Sequence, residues 1–224
     1  MSKYVDIVDG KVSNVETLRS GLVYTCVAGW VDLGHARPDN AARLWNSIDK
    51  EHGEGVSGGT WYGVGFGETE SKSLWKVTVT DGVSRRFAVR HGLTRKEKES
   101  VALAIFLEVS LQFESLQADI FHRLATDSGY SAEDLVSNLI GFYRAVRPGR
   151  NYVSDCQPVS KAAAQAVWNS YGPVGALKNT AAVPFIFPCK ECPGSPGAPV
   201  CGVVPPFLSD ITPASSGDLY LAWD

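Results

Sequence analysis

A chain of 224 residues, 44% hydrophobic and 20% charged, can bury a sizeable core, and its length suits one domain spanning 1–224. A net charge of −3, with no Lys/Arg run interleaved with aromatics, argues against nucleic acid as a partner. No stretch approaches the roughly 20 apolar residues of a membrane span, and Met1 to Ser20 scatters Lys3, Asp6, Asp9, Lys11, Glu16 and Arg19 among its apolar residues, unlike a secretory signal. The expectation is synthesis in the cytoplasm without a classical signal peptide, with export to a periplasm left to another route.

In chain order, Leu22 to Val31 reads as a buried strand rich in Val, Tyr, Thr and Trp. Pro38-Asp39 opens a helix to Ile48 whose apolar side is Ala42, Leu44, Trp45 and Ile48. From Trp61 to Phe66, Gly63 and Gly65 alternate with larger residues, as in a strand lying close under another element or in a loop. Leu74–Thr80 and Val83–Val89 flank Asp81-Gly82, a strong hairpin signal. Thr94-Arg95-Lys96-Glu97 has the form of a capping box and opens a helix to about Leu124, apolar nearly all round between Val101 and Phe113 and therefore central and buried.

Further helices are expected from Ser131 to Val146, ending before Pro148-Gly149, and from Ser160 to Ser170. Eight of the twelve prolines lie beyond Ala182, so 182–224 is expected to be a loop-rich tail covering a core of about 20–172. The fold class is α+β: a central buried helix, further helices packed on a small antiparallel sheet, and an irregular Pro/Gly-rich C-terminal tail.

Five cysteines are present: Cys26, Cys156, Cys189, Cys192 and Cys201. The Cys189-Lys190-Glu191-Cys192 motif with Cys201 has two readings. It is a disulfide staple or a set of unpaired thiols in the tail, or it supplies three zinc ligands with Cys156 or a His as the fourth. The missing second Cys-x-x-Cys favours the staple or free thiols, so no cofactor is expected.

Three residues stand out as candidates for catalysis. His35 follows a strand, with Asp32, Arg37 and Asp39 nearby in sequence. Cys26 lies nine residues upstream; on an uninterrupted strand the two would be roughly 30 Å apart, so pairing them requires a bend at Gly29 or Gly34. Glu108 and Glu114 sit in the apolar helix about 120° apart around its axis. A carboxylate there is either ion-paired or raised in pKa towards acid–base use. Ser131, Glu133 and Asp134 fit helix capping. Ser137 and Asn138 do not, because they are poor helix formers beyond the first turn.

These segments resemble a bacterial domain-of-unknown-function family (number four-zero-five-six), many of whose members look like envelope lipoproteins. The resemblance lies in Tyr24-Thr25-Cys26-x-x-Gly29-x-Val31-Asp32-x-x-His35-x-Arg37, in the helix carrying Phe113-Glu114, and in Ser131-x-Glu133-Asp134-Leu135-x-Ser137-Asn138-x-x-Gly141, over about 22–141. Phe113 stands where the family has a His, and Met1 to Ser20 does not read as the family's usual lipoprotein N-terminus.

The resemblance implies that Cys26, His35 and Glu114 are functional; Asp32, Arg37, Asp39, Ser131, Glu133 and Asn138 are the candidate substrate-binding or supporting residues. The expected function is a hydrolase of cell-envelope material: a peptidoglycan peptidase or amidase acting on a cell-wall polymer or peptide, exported as an antibacterial effector with a secretion machine or immunity protein as partner. Three alternatives stand beside it. One is a lysozyme-like glycan-cleaving enzyme using Glu114, another a metal hydrolase using His35, Asp39 and Glu114, and the third a non-catalytic envelope-binding domain.

Overall fold

Thr94 and Glu97 cap each other as their spacing predicts. The Glu97 carboxylate accepts from the Thr94 amide at 2.8 Å, and the Glu97 amide donates to Thr94 Oγ1 at 3.3 Å. The computed structural model describes residues 2–55, 59–74, 77–123, 134–174 and 183–223. In chain order its elements are β1 (Leu22–Thr25), β2 (Gly29–Asp32), α1 (Asp39–Asp49), β3 (Glu54–Gly55), β4 (Trp61–Leu74), β5 (Val77–Arg90) and α2 (Arg95–Arg123). They continue with α3 (Asp134–Val146), α4 (Tyr152–Asp155), α5 (Lys161–Tyr171), β6 (Phe185–Ile186), β7 (Val200–Cys201) and β8 (Tyr220–Ala222). The fold is α+β, with small antiparallel sheets.

The chain forms two compact units, each drawn from two stretches of sequence: Met1–Pro38 with Thr126–Asp210, and Asp39–Ala125 with Ile211–Asp224. In the second unit a four-stranded sheet, ordered β3-β4-β5-β8, packs on α2, which also packs on α1. Val101, Ala102, Leu103, Ala104, Ile105, Phe106 and Val109 are all buried, and Phe66 of β4 lies 5.9 Å from Phe106 between ring centroids. A run buried on every side fits a helix without a polar face. Glu108 takes the ordinary option for a carboxylate there and pairs with Arg85.

Two expectations about strands change. Asp81-Gly82 is not a turn: Glu70 pairs with Asp81 and Thr69 with Gly82 in the middle of a ladder running from Trp61↔Arg90 to Leu74↔Val77. A dipeptide's turn preference is local, whereas that register pairs the main chain over fourteen positions, and the ladder wins. The stretch 22–31 is also two strands rather than one. Leu22↔Asp32 and Thr25↔Gly29 define a hairpin, with Gly29 at φ 67, the left-handed region that favours glycine.

In the first unit this hairpin is the core's spine. Leu22, Tyr24 and Trp30 are buried with Ile7, Val159, Ala164, Val167 and Phe187. Tyr24 and Trp30 meet edge to face at 5.2 Å, and Trp30 meets Trp168 of α5 in the same way at 5.8 Å. The Tyr24 hydroxyl donates to the Phe187 carbonyl at 2.9 Å and accepts from the Phe187 amide at 2.7 Å. A side chain thus replaces a missing strand partner for a buried segment.

The described part of the C-terminal stretch does more than cover a core. Phe187, Cys189, Cys192 and Leu208 are buried within the first unit, while Ile211 is buried in the second, where Tyr220–Ala222 extends the sheet beside β5.

Candidate functional site

The chain leaving β2 coils tightly around the Asp32 carboxylate. Its Oδ1 accepts from the Gly34 amide at 2.7 Å and from the His35 amide at 3.4 Å, and the Asp32 carbonyl accepts from the Ala36 amide at 2.9 Å. This is the side-chain-to-backbone capture for which Asp is suited. Asp32 therefore serves the turn that presents His35.

Helix α3 supplies the floor. The Asp32 amide donates to Ser137 Oγ at 2.9 Å, and Ser137 is fully buried. One helical turn further on, Gly141 lies beneath the coil; a Cβ there would come within 2.7 Å of the Arg37 carbonyl oxygen and 2.9 Å of that of His35. Arg144 completes the row. Its guanidinium donates to the Ala36 carbonyl at 2.7 Å and to the Glu16 carbonyl, and lies 3.7 Å from the Glu16 carboxylate. Ser137, Gly141 and Arg144 lie at helical spacing, i, i+4 and i+7, on one face of α3.

His35 itself is half-buried, and its Nδ1 lies 3.1 Å from Asn138 Oδ1. A carbonyl oxygen only accepts, so in this arrangement the Nδ1–H donates to Asn138 Oδ1. Asn138 is 4% exposed, and its Nδ2 is buried without a hydrogen-bond partner among the described residues. The contact ties the imidazole to α3 through Asn138, an orienting bond of the kind a general base uses.

Cys26 is corrected as His35's partner on two grounds. It is disulfide-bonded to Cys192, with Cα atoms 5.2 Å apart, so in this state it has no thiol to ionise. It also follows β1 at the turn of the hairpin, whereas His35 follows β2 at the opposite end, with about 10 Å of strand between. Proton transfer between them needs hydrogen-bond reach.

The tail cysteines do not staple one another either. Cys189 is free and buried, as is Cys156, and Cys201 is free and exposed. Burial pushes the Cys156 thiol up to about 12. Among the described residues no group of three or more His, Cys, Asp or Glu side chains is placed to hold a metal ion.

The remaining candidates divide as follows. Arg37 is half-buried in the coil, its carbonyl over Gly141. Asp39 opens α1 in the second unit and is exposed. Glu114 lies in α2, its side chain outside the described residues, and Ser131 and Glu133 fall outside them altogether.

The residues that sequence reasoning passed over are Gly141, Arg144 and Cys192 as the partner of Cys26. The first left a trace, since a glycine inside a helix is unfavourable without a packing reason. The other two left none. No family model, curated protein or solved structure matches this chain.

Proposed function

We propose that this chain is a hydrolase of bacterial cell-envelope material, acting on peptide or amide bonds of peptidoglycan, with His35 as general base and Asn138 as its positioning residue. The single observation that carries the reading is the His35–Asn138 contact: a hydrogen bond from Nδ1–H to the Asn138 carbonyl oxygen orients the ring and favours the tautomer whose basic lone pair is on Nε2. With Cys26 in a disulfide, the nucleophile is a water that His35 deprotonates. The envelope substrate rests on the two sequence blocks; action as an exported effector, with a secretion machine or immunity protein as partner, is proposed alongside it. Residues of both blocks meet in the Asp32–Ser137, His35–Asn138 and Gly141 contacts.

A second reading, a non-catalytic envelope-binding domain, is favoured by the work the neighbouring polar groups do. Asp32, Ser137 and Arg144 each hydrogen-bond main chain. Purified sacculi incubated with wild type, His35→Ala, Asn138→Ala and Glu114→Gln, followed by mass spectrometry of the soluble fragments, separate the readings. Cut peptide stems that disappear with His35→Ala support the proposal. Cut glycan strands lost in Glu114→Gln move it to a lysozyme-like plan. Sacculus binding without turnover in any variant establishes the binding domain. Nitrogen-15 shifts of the His35 ring add an independent readout: a protonated Nδ1 in wild type, and a loss of tautomer preference in Asn138→Ala.

A further inference from the structure

The Cys26–Cys192 bridge does not stand alone. Cys189 precedes Cys192 in a Cys-x-x-Cys segment, and both, at 7% and 8% exposure, belong to the buried cluster on which Cys26 packs. The segment is a reverse turn: the Cys192 amide donates to the Cys189 carbonyl at 3.1 Å, and the Ser195 amide to the Cys192 carbonyl at 3.2 Å. The Cys189 amide is held by Ser195 Oγ at 2.7 Å. A turn closed in this way brings the Cα atoms of its first and fourth residues within about 7 Å, a separation a disulfide can span with little movement. Cys192 is therefore one sulfur with two neighbours able to bond it.

Access comes from the side of α5. A cleft of about 600 Å³ is lined by Ala166, Ser170, Tyr171, Cys189, Glu191 and Pro196, so solvent reaches the edge of the Cys189 site. Cys156, whose carbonyl accepts from the Val27 amide beside Cys26, is fully buried; Cys201 is exposed and bound into the β6–β7 pair. Neither shares the reverse turn.

We propose that Cys26, Cys189 and Cys192 form a thiol–disulfide exchange site in which the Cys189 thiolate displaces Cys26 from Cys192. The Cys189 thiol loses its proton to solvent and its sulfur attacks Cys192 Sγ. The Cys189–Cys192 bond forms, the Cys26–Cys192 bond breaks with its electron pair going to Cys26, and the Cys26 thiolate takes up a proton. One disulfide and one thiol stand on each side, so no oxidant or reductant enters. The product is a free, half-buried thiol at the tip of the β1–β2 hairpin, a nucleophile the chain holds in reserve. This inference does not depend on the hydrolase reading.

The test uses the full oxidised chain carrying Cys201→Ser, which removes exchange between molecules. It is incubated without reductant in excess N-ethylmaleimide, quenched in acid and mapped as non-reduced peptides. The expected result is a growing population with alkylated Cys26 and a Cys189–Cys192 bridge, absent when Cys189→Ser is added, while circular dichroism shows that both proteins remain folded. If Cys26 stays blocked and only Cys189 takes the label, the exchange does not occur. If Cys26 is labelled equally with and without Cys189, its release has another cause. Either outcome overturns the proposal.

Discussion

Replacing Gly141 by Ala tests the junction that carries His35. In an open helix interior the change would stabilise by about 1 kcal/mol, because Gly carries more backbone entropy to lose than Ala. Here the new methyl meets carbonyl oxygens of Arg37 and His35 at 2.7 and 2.9 Å and the Ala36 carbonyl carbon at 3.3 Å. These are main-chain atoms fixed by Asp32 and Arg144, so they cannot swing aside as a side-chain tip would. Overpacking of this kind costs about 1–3 kcal/mol. With two oxygens below 3.0 Å the cost lies towards the upper part of that range, and a net loss of about 1–2 kcal/mol remains after the helix gain.

The coil should lift off α3, weakening the Asp32–Ser137 and His35–Asn138 contacts together. Hydrogen exchange of the Asp32 and Ala36 amides reads this directly, and the loss corresponds to roughly 5–30-fold faster exchange at those sites. A matching fall in the urea midpoint is expected, with Gly197→Ala, where nothing lies within 4 Å, as the control. A Gly141→Ala protein that is more stable than wild type, with unchanged protection of Asp32 and Ala36, would refute the packing argument.

Tyr24→Phe keeps the ring in the core but leaves the Phe187 amide and carbonyl buried without their shared partner. A loss of about 1–3 kcal/mol in urea unfolding is expected, and a loss below about 0.5 kcal/mol would mean that the hydroxyl does not hold the 187 segment. The second unit offers a pH test. Glu51 is held at about 2 by the hydrogen bond from His91, then by Lys98 and the Gly92 amide. Its folded pKa lies below its ordinary value of 4.5, so its stabilising contribution is present above about pH 4.5 and is lost as the pH falls towards 2. Wild type should exceed Glu51→Gln by roughly 1 kcal/mol at neutral pH in low salt, with the gap closing on acidification; a gap that persists at pH 2 contradicts the assignment.

Much of the secondary structure was legible because its signals act within a turn or two. The Thr94/Glu97 box and the Ser160 cap of α5, whose side chain accepts from the Ala163 amide, satisfy backbone donors only a few residues away, and Asp39 places a negative charge at the start of α1. The all-apolar run in α2 was equally direct, since a helix without a polar face must be covered. The candidate site was half legible. His35 and Asn138 could be singled out separately, one for its place after a strand and the other as a poor helix former inside a helix. Their meeting across 103 residues had no local signature.

The same boundary explains the misreadings. Asp81-Gly82 has the dihedral freedom for a turn, but whether it turns depends on which residues the long partner strand places opposite. A bend between Cys26 and His35 was the condition for pairing them; the chain does fold into a hairpin there, but Cys26 bonds Cys192 across a sequence separation of 166. Composition and hydrogen-bonding needs over a few residues determined where this chain coils and extends. Pairing of distant groups was decided only when buried side chains and unsatisfied backbone atoms had to find partners in a shared core. That is why the segment from Tyr24 to Arg37 carries a disulfide at one end of its hairpin and a positioned imidazole at the other.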